Sequence, residues 1–354
     1  MKILIYTDLH CSYNSSILPL YIDEETEFPK FTVRLRRVIE TGKWLAKLAE
    51  ENNVDCIVNG GDTFDSTMVK AEELEAIRRF FGYFEKVDVP HYVTVGNHEK
   101  VNDNFNASDI LSGYKNVVVV DKPTKINDVL SILPYMDAED IDEALLMSIS
   151  NSVLVSHIDI KESYIRDGVK LETGIRSEEL AEHFGFVANG HIHVPSRLRT
   201  TKHSVNNIGS VFSHSFSDDQ DYVPSAFIYD TDTMETLRFE NPNAILFRRI
   251  EGFEDSSDLE AILDTFDRRF NYAFIVKYSE YNNKETYQKI LSERKNIIAF
   301  KLLNVYSEEG SSETEEQVHD FTDLDVKQKF IEFLDTVDCK YEKDRYLSIL
   351  QEVE

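Results

Sequence analysis

Five times within its first 193 residues this chain runs apolar for a few positions and then ends on Asp, Asn or His. The runs are Ile3-Leu4-Ile5-Tyr6, Cys56-Ile57-Val58, Tyr92-Val93-Thr94-Val95, Val153-Leu154-Val155 and Phe186-Val187-Ala188. A short run without polar alternation reads as a strand buried on both faces, the situation of parallel sheets covered by helices. In an open α/β sheet the ligand crevice lies beyond the carboxyl ends of the strands, so ends far apart in sequence can converge. The expected fold class is therefore α/β, with the site where those ends meet. Taken singly, each end reads as a turn, a helix cap, a surface loop or a core histidine; five furnished alike do not.

The ends are Asp8-Leu9-His10, Gly60-Gly61-Asp62, Gly96-Asn97-His98-Glu99, Ser156-His157 and Gly190-His191-Ile192-His193. Asp8 and His10 alternate with Leu9, so in an extended tail both side chains point one way. Two glycines allow a sharp turn into Asp62, and Asp65 behind it reads as a helix cap rather than a ligand. Residues 11–30, with Pro19 and Pro29, form a polar loop directly after two ligand candidates; a loop of that length is more often functional than idle.

Helical spacing over about 69–86 places Leu74, Ile77, Phe81 and Phe84 on one stripe. Core is the simplest reading of that stripe, and a homodimer face is the second. Val117–Val120 and Ile126–Leu133 read as strands of a second sheet, which Ile208-Gly209-Ser210, Ala226–Tyr229 and Glu235–Phe239 would close. The main domain is thus expected over 1–244, followed by a small α+β capping domain over 245–306. Residues 307–320 are Ser/Glu-rich and read as an acidic linker. Residues 321–354 read as a helical hairpin, with Phe330 and Leu334 on one apolar stripe and Leu347 and Leu350 on the other. Such a hairpin has little core of its own and is expected to bind a partner.

The candidate ligands Asp8, His10, Asp62, Asn97, His157, His191 and His193 offer carboxylate, amide and imidazole without thiolate, which suits Mn, Fe or Zn. A paired site needs a carboxylate that can bridge two divalent ions, and Asp62 is the natural candidate. Two ions so held suit phosphoester hydrolysis, with His98 placed to contact the phosphate or protonate the leaving alkoxide.

The net charge of -27, from 65 acidic against 38 basic residues, argues against gripping nucleic acid through overall charge. One local basic patch, Arg197, Arg199, Lys202 and His203, follows His193 and is a candidate DNA contact. Cys11, Cys56 and Cys339 are too few and too scattered for a disulfide framework, which fits a reducing compartment. No apolar run approaches the ~18 residues of a membrane span, so the chain is expected to be soluble and cytoplasmic, without a membrane partner.

The five ends resemble the motifs of the calcineurin-like metallophosphoesterase superfamily, D-x-H, G-D-x-x, G-N-H-[DE], a lone H and G-H-x-H, in that order over about residues 1–240. The resemblance implies a two-sheet sandwich flanked by helices, an α+β sandwich. It implies one metal on Asp8, His10, Asp62 and His193, a second on Asp62, Asn97, His157 and His191, and His98 as the catalytic histidine. Ser/Thr protein phosphatases share Gly-Asn-His-Glu but carry Asp-Arg-Gly after the second motif, whereas here Asp65 is followed by Ser66-Thr67.

The longer layout is similar to the SbcD-type nuclease subunit of the double-strand-break repair complex, in particular to the recombination endonuclease subunits of tailed phages. Asn116–Pro123, Leu133–Met136, Asn207–Ser210 and Phe247–Ile250 carry that likeness. It implies a two-metal DNA exonuclease and single-strand endonuclease acting in double-strand-break processing and recombination. Manganese comes first among the metals, with magnesium, iron or zinc as alternatives. The implied partners are DNA, an SbcC-type coiled-coil ATPase held by the terminal helices, and a second copy of the chain held by helices after the second and third motifs. If the chain is phage-encoded, its place is the host cytoplasm. The competing readings are a phosphodiesterase or phosphatase for small substrates, and a metal-free scaffold, which the intact ligand set argues against.

Overall fold

The unalternated strands have apolar cover on both sides. In β1 (Lys2–Tyr6), Ile3 and Ile5 pack between two sheets while Leu4 and Tyr6 pack beneath helices. The same division holds in β2 (Cys56–Asn59), where Val58 faces the other sheet and Ile57 the helices. The computed structural model describes residues 1–13, 18, 27–28, 30–102, 104–166, 169–216, 221–279 and 283–305, and all that follows concerns those residues.

Around β2 the chain forms α1 (Val33–Glu51), α2 (Ala71–Gly82) and β3 (His91–Thr94), then a hairpin of β4 (Lys100–Asn102) and β5 (Phe105–Asn106). Next come β6 (Val117–Val120), β7 (Thr124–Lys125), β8 (Leu130–Leu133), α3 (Glu143–Ser148), β9 (Asn151–Ser156) and a hairpin of β10 (Tyr164–Arg166) and β11 (Val169–Lys170). Then follow α4 (Ser177–His183), β12 (Phe184–Asn189), β13 (Ser196–Leu198), β14 (Ser204–Asn207), β15 (Ser225–Asp230) and β16 (Glu235–Glu240). α1 starts where it does because the Thr32 side chain accepts a hydrogen bond from the Leu35 N–H.

Two six-stranded sheets result, ordered β16-β15-β1-β2-β3-β6 and β13-β14-β12-β9-β8-β7. β1, β2, β3 and β6 are parallel in the first, and β14, β12, β9 and β8 in the second. Ile132, Val155 and Ala188 from the second sheet meet Ile3, Ile5 and Val58 in the space between. Leu35, Ile39, Phe80 and Phe81 cover the outer face of the first sheet, and Leu146, Leu180 and Ala181 that of the second.

Several expectations need correction. Val117–Val120 joins the first sheet beside β3, and β15 and β16 also join the first sheet, antiparallel beside β1. Ile208-Gly209-Ser210 lies outside any strand, with Gly209 in the left-handed region at φ 71. A strand's own pattern reports burial on its two faces but not which sheet edge it joins. The stripe on α2 belongs to this chain's own core: Ile77 and Phe81 are 1% exposed and Phe84 4%, with Leu74 packed alongside. Three of the four side chains of the stripe, Ile77, Phe81 and Phe84, thus serve the core, and Leu74 is half-buried.

Ile245–Ile250 opens a third sheet as β17, followed by α5 (Ser256–Thr265), β18 (Asn271–Tyr278), α6 (Lys284–Ser292) and β19 (Ile297–Asn304). All three strands are parallel, so this part is a βαβαβ unit around Leu246, Phe274 and Tyr287, where an α+β unit was expected. The chain divides into two compact units, Met1–Asn304 and Val305–Glu354. The expected linker 307–320 and the hairpin carrying Phe330, Leu334, Leu347 and Leu350 lie outside the described residues. Among the described residues no helix is long and apolar enough to cross a membrane.

Candidate metal centre

β1, β2 and β3 of the first sheet and β9 and β12 of the second end side by side, and their loops are laced together by backbone hydrogen bonds. The Asp8, His10 and Cys11 N–H groups donate to the carbonyls of Gly61, Asp62 and Thr63 at 3.0, 2.9 and 2.8 Å. Asp8-Leu9-His10 is therefore not the extended tail expected. Asp8, His10, Asp62 and His191 all adopt left-handed backbone, with φ of 54, 43, 51 and 67. Such conformations cost residues other than glycine roughly 1–3 kcal/mol each; they persist where the surroundings enforce them and concentrate at functional sites. Two glycines make the close approach possible. A Cβ on Gly61 would stand 2.2 Å from His157 Nδ1, and one on Gly96 2.0 Å from Asp62 Oδ1.

The seven expected ligands form two abutting clusters. In one, His10 Nε2 stands 3.0 Å from His193 Nε2, 3.8 Å from Asp8 Oδ1 and 3.6 Å from Asp62 Oδ2, and His193 Nε2 is 3.5 Å from Asp8 Oδ1. In the other, His157 Nε2 lies 3.2 Å from Asp62 Oδ2 and 3.1 Å from Asn97 Oδ1, and His191 Nδ1 lies 3.0 Å from the same amide oxygen. Asp62 touches both clusters, as a bridging carboxylate must.

Three features show that these residues fit divalent ions. Lone-pair atoms converge on one another, as His10 Nε2 and His193 Nε2 do, and buried Asp8 Oδ2 has no hydrogen-bond partner among the described residues. The imidazoles are oriented from behind. His157 Nδ1–H donates to the Gly60 carbonyl at 2.8 Å, which leaves Nε2 as the ligand atom, and His191 Nε2 is held by Asp159 Oδ1 at 3.0 Å. The field also favours positive charge. Burial opposes ionisation of Asp62, yet His157 and His10 hold its carboxyl well below the usual range. Burial alone would lower His157, but the carboxylates of Asp62 and Asp8 push it up to about 9. A site that stabilises a proton this strongly stabilises a cation at the same atoms.

His98 sits at the open side, partly exposed. Its Nδ1–H donates to the Asp65 carbonyl at 2.8 Å and its backbone N–H to Asp62 Oδ1 at 3.2 Å, so Nε2 is left to meet a substrate or its leaving group. Divalent ions, when bound, supply Lewis acidity toward a phosphoester and an activated water.

Sequence reasoning gave no role to three residues here and misread a fourth. Glu99, fully buried, accepts from the N–H groups of Thr63, Phe64 and Gly96 at 2.5, 3.1 and 2.8 Å and so ties the Asp62 loop to the Asn97 loop. Asp159 orients His191. His214 stands 3.5 Å from Asp65 Oδ1 and accompanies His10 and Asp65 in a third cluster of ligand type, with burial pushing it down to about 3. Asp65 itself faces His10 Nδ1 at 3.4 Å and caps no helix, since the N-cap of α2 is Lys70. Among these only Glu99 carried a signal, as the last letter of its motif. Of the three candidate DNA contacts, Arg197, Arg199 and Lys202 are exposed, and Arg197 and Lys202 line a cavity at the edge of the sandwich while Arg199 does not.

Residues 1–218 match the calcineurin-like phosphoesterase family, and the chain belongs to that family. The protein is accordingly a metal-dependent hydrolase of phosphoester bonds. A search of curated proteins returns no match. Among solved structures, the protein TT1561 of Thermus thermophilus is 12% identical with a TM-score of 0.39, over 68% of this chain and 98% of that one. A dimetal phosphatase from Danio rerio is 11% identical with a TM-score of 0.32, over the same shares.

Proposed function

We propose that this phosphoesterase is a two-metal DNA nuclease, with exonuclease and single-strand endonuclease activity, in double-strand-break processing and recombination. The observation that favours a diester over the substrates of Ser/Thr protein phosphatases is that Asp65 is followed by Ser66-Thr67, so this motif lacks the arginine those enzymes carry there. Arg34 is buried, its guanidinium donates to the carbonyls of Ser213 and His10 at 3.2 and 3.1 Å, and its Nη2 stands 3.4 Å from His214 Nδ1. A monoester dianion calls for extra positive charge, whereas a diester carries one negative charge that the ions alone can match. His98 is then the acid for the departing alkoxide, and manganese the expected metal.

End-labelled single- and double-stranded DNA, incubated with Mn or Mg, tests the reading. Metal-dependent shortening that His98→Ala abolishes is expected. Rapid turnover of a small aryl phosphodiester with intact DNA would instead establish a small-substrate phosphodiesterase. The segment 307–354 is proposed to bind an SbcC-type coiled-coil ATPase. Deleting it should abolish ATPase binding while metal-dependent hydrolysis persists, and retained binding refutes that role.

A further inference from the structure

Many arginines of this acidic chain lie against carboxylates: Arg78 and Arg79 on Glu75, Arg176 on Glu179, Arg268 and Arg294 on Asp264, Arg269 on Asp267. One cavity breaks the pattern. It has a volume of about 630 Å³ and is walled by β13 and β14 on one side and by β15 and β16 on the other, where the edges of the two sheets face each other. Arg197, Lys202, His203 and Arg238 line it; no described lining residue is Asp or Glu, and the carboxylate near Lys202 is that of Glu178. Arg238 is held in place by the Ser225 hydroxyl at 2.8 Å and the Val223 carbonyl at 2.7 Å, with its guanidinium over the Tyr222 ring. The floor is apolar, with Phe186 and Tyr229 stacked at 4.0 Å.

The cavity also has a direction. Asn207 pairs with Asn189, which directly precedes Gly190-His191, and Ser196 pairs with Asn207. The Ser196–Asn207 end therefore adjoins the metal centre, and the Lys202–Ser204 end lies away from it. Along β14 this distance is about 10 Å at ~3.3 Å per residue. Basic side chains lining a groove are the electrostatic means by which proteins track a single-stranded backbone.

We infer that the sandwich edge is a track for single-stranded nucleic acid, which leads the strand away from the metal centre across Arg197, Arg238 and Lys202. The inference rests on the nuclease reading above and adds the path of the strand.

The test is fluorescence anisotropy of a fluorescein-labelled dT dodecamer with the full chain in EDTA, where cleavage is blocked. The double variant Arg197→Ala, Lys202→Ala should bind about tenfold or more weakly, with a salt slope lower by about one to two. An unchanged melting temperature shows that its fold is kept. Lys43→Ala, Lys47→Ala makes the same charge change on α1 and should stay within about twofold. Equal weakening by both pairs overturns the track in favour of overall charge, and unchanged affinity of the first pair overturns it outright. Tripolyphosphate displacing the probe with an affinity equal to the dodecamer's also overturns it, in favour of a small-anion site. If the parent chain cleaves DNA with manganese while the first pair binds normally, the track alone fails. If the parent neither binds nor cleaves DNA but hydrolyses a small aryl diester, the nuclease reading fails with it.

Discussion

Glu99→Gln probes whether one buried carboxylate holds the ligand loops in register. Glu99 Oε1 accepts from Thr63 and Phe64, and Oε2 accepts from Gly96. Burial and the nearby Asp62 charge raise its pKa, and the hydrogen bonds from Gly96 and Phe64 oppose the rise. Glutamine has the same shape, but its amide oxygen can serve only one of these two positions, and its NH2 must face an N–H at the other. A lost charge-assisted bond plus two opposed buried donors costs about 3 kcal/mol. Across the 304 residues of Met1–Asn304, unfolding entropy of ~2.1 cal/mol/K per residue converts this into a melting shift of about 5 °C. Because Thr63 adjoins Asp62 and Gly96 adjoins Asn97, ligands of both clusters shift, and an ångström of misplacement costs about 100-fold in rate. Circular dichroism melts and manganese-dependent hydrolysis of bis(p-nitrophenyl) phosphate measure the two effects. Melting within about 1 °C of the parent together with a rate within about twofold would refute the clamp.

Gly96→Ala drives a Cβ to 2.0 Å from Asp62 Oδ1, so metal content measured by atomic emission should fall and hydrolysis drop about 100-fold or more. Chelation should lower the melting temperature, because ions present at about 100 times their dissociation constant add ~2.7 kcal/mol to the folded state; equal melts with and without EDTA count against the centre. His91, buried and hydrogen-bonded to the Tyr6 hydroxyl at 2.9 Å, has its pKa pushed down to about 3 by burial, from 6.5. The unfolded chain therefore takes up this proton first, and stability is present above pH 6.5 and lost as pH falls toward 3. His91→Gln should remove about 2 kcal/mol of the loss between pH 7 and pH 5, read as a flatter dependence of urea midpoints on pH.

The ligand set was legible in the sequence because each member follows an apolar run, and a buried strand presents whatever residue comes next at its carboxyl end. Asp8, Asp62, Asn97, His157, His191 and His193 needed only that rule. Their backbone was not legible. Asp8 and His10 reach the centre through left-handed turns enforced by hydrogen bonds to the β2 loop, bonds that bridge more than fifty residues of chain. Asp159 and His214 remained hidden for the same reason, since an orienting partner is recognised by its distance to a ligand and not by its neighbours in sequence. The aromatic stripe of α2 read most simply as core, and Phe80, Phe81 and Phe84 do pack into the cluster that Leu35 and Ile39 of α1 share.

Strand ends, donor types and family membership could thus be read along the chain, because each depends on a few adjacent residues. Packing decided the rest: which edge each added strand joined, the left-handed turns that seat the ligands, and that Arg197, Lys202 and Arg238 face one cavity. Those are relations between residues far apart in the chain, created only when two sheets pack face to face and bring their strand ends and their free edges together.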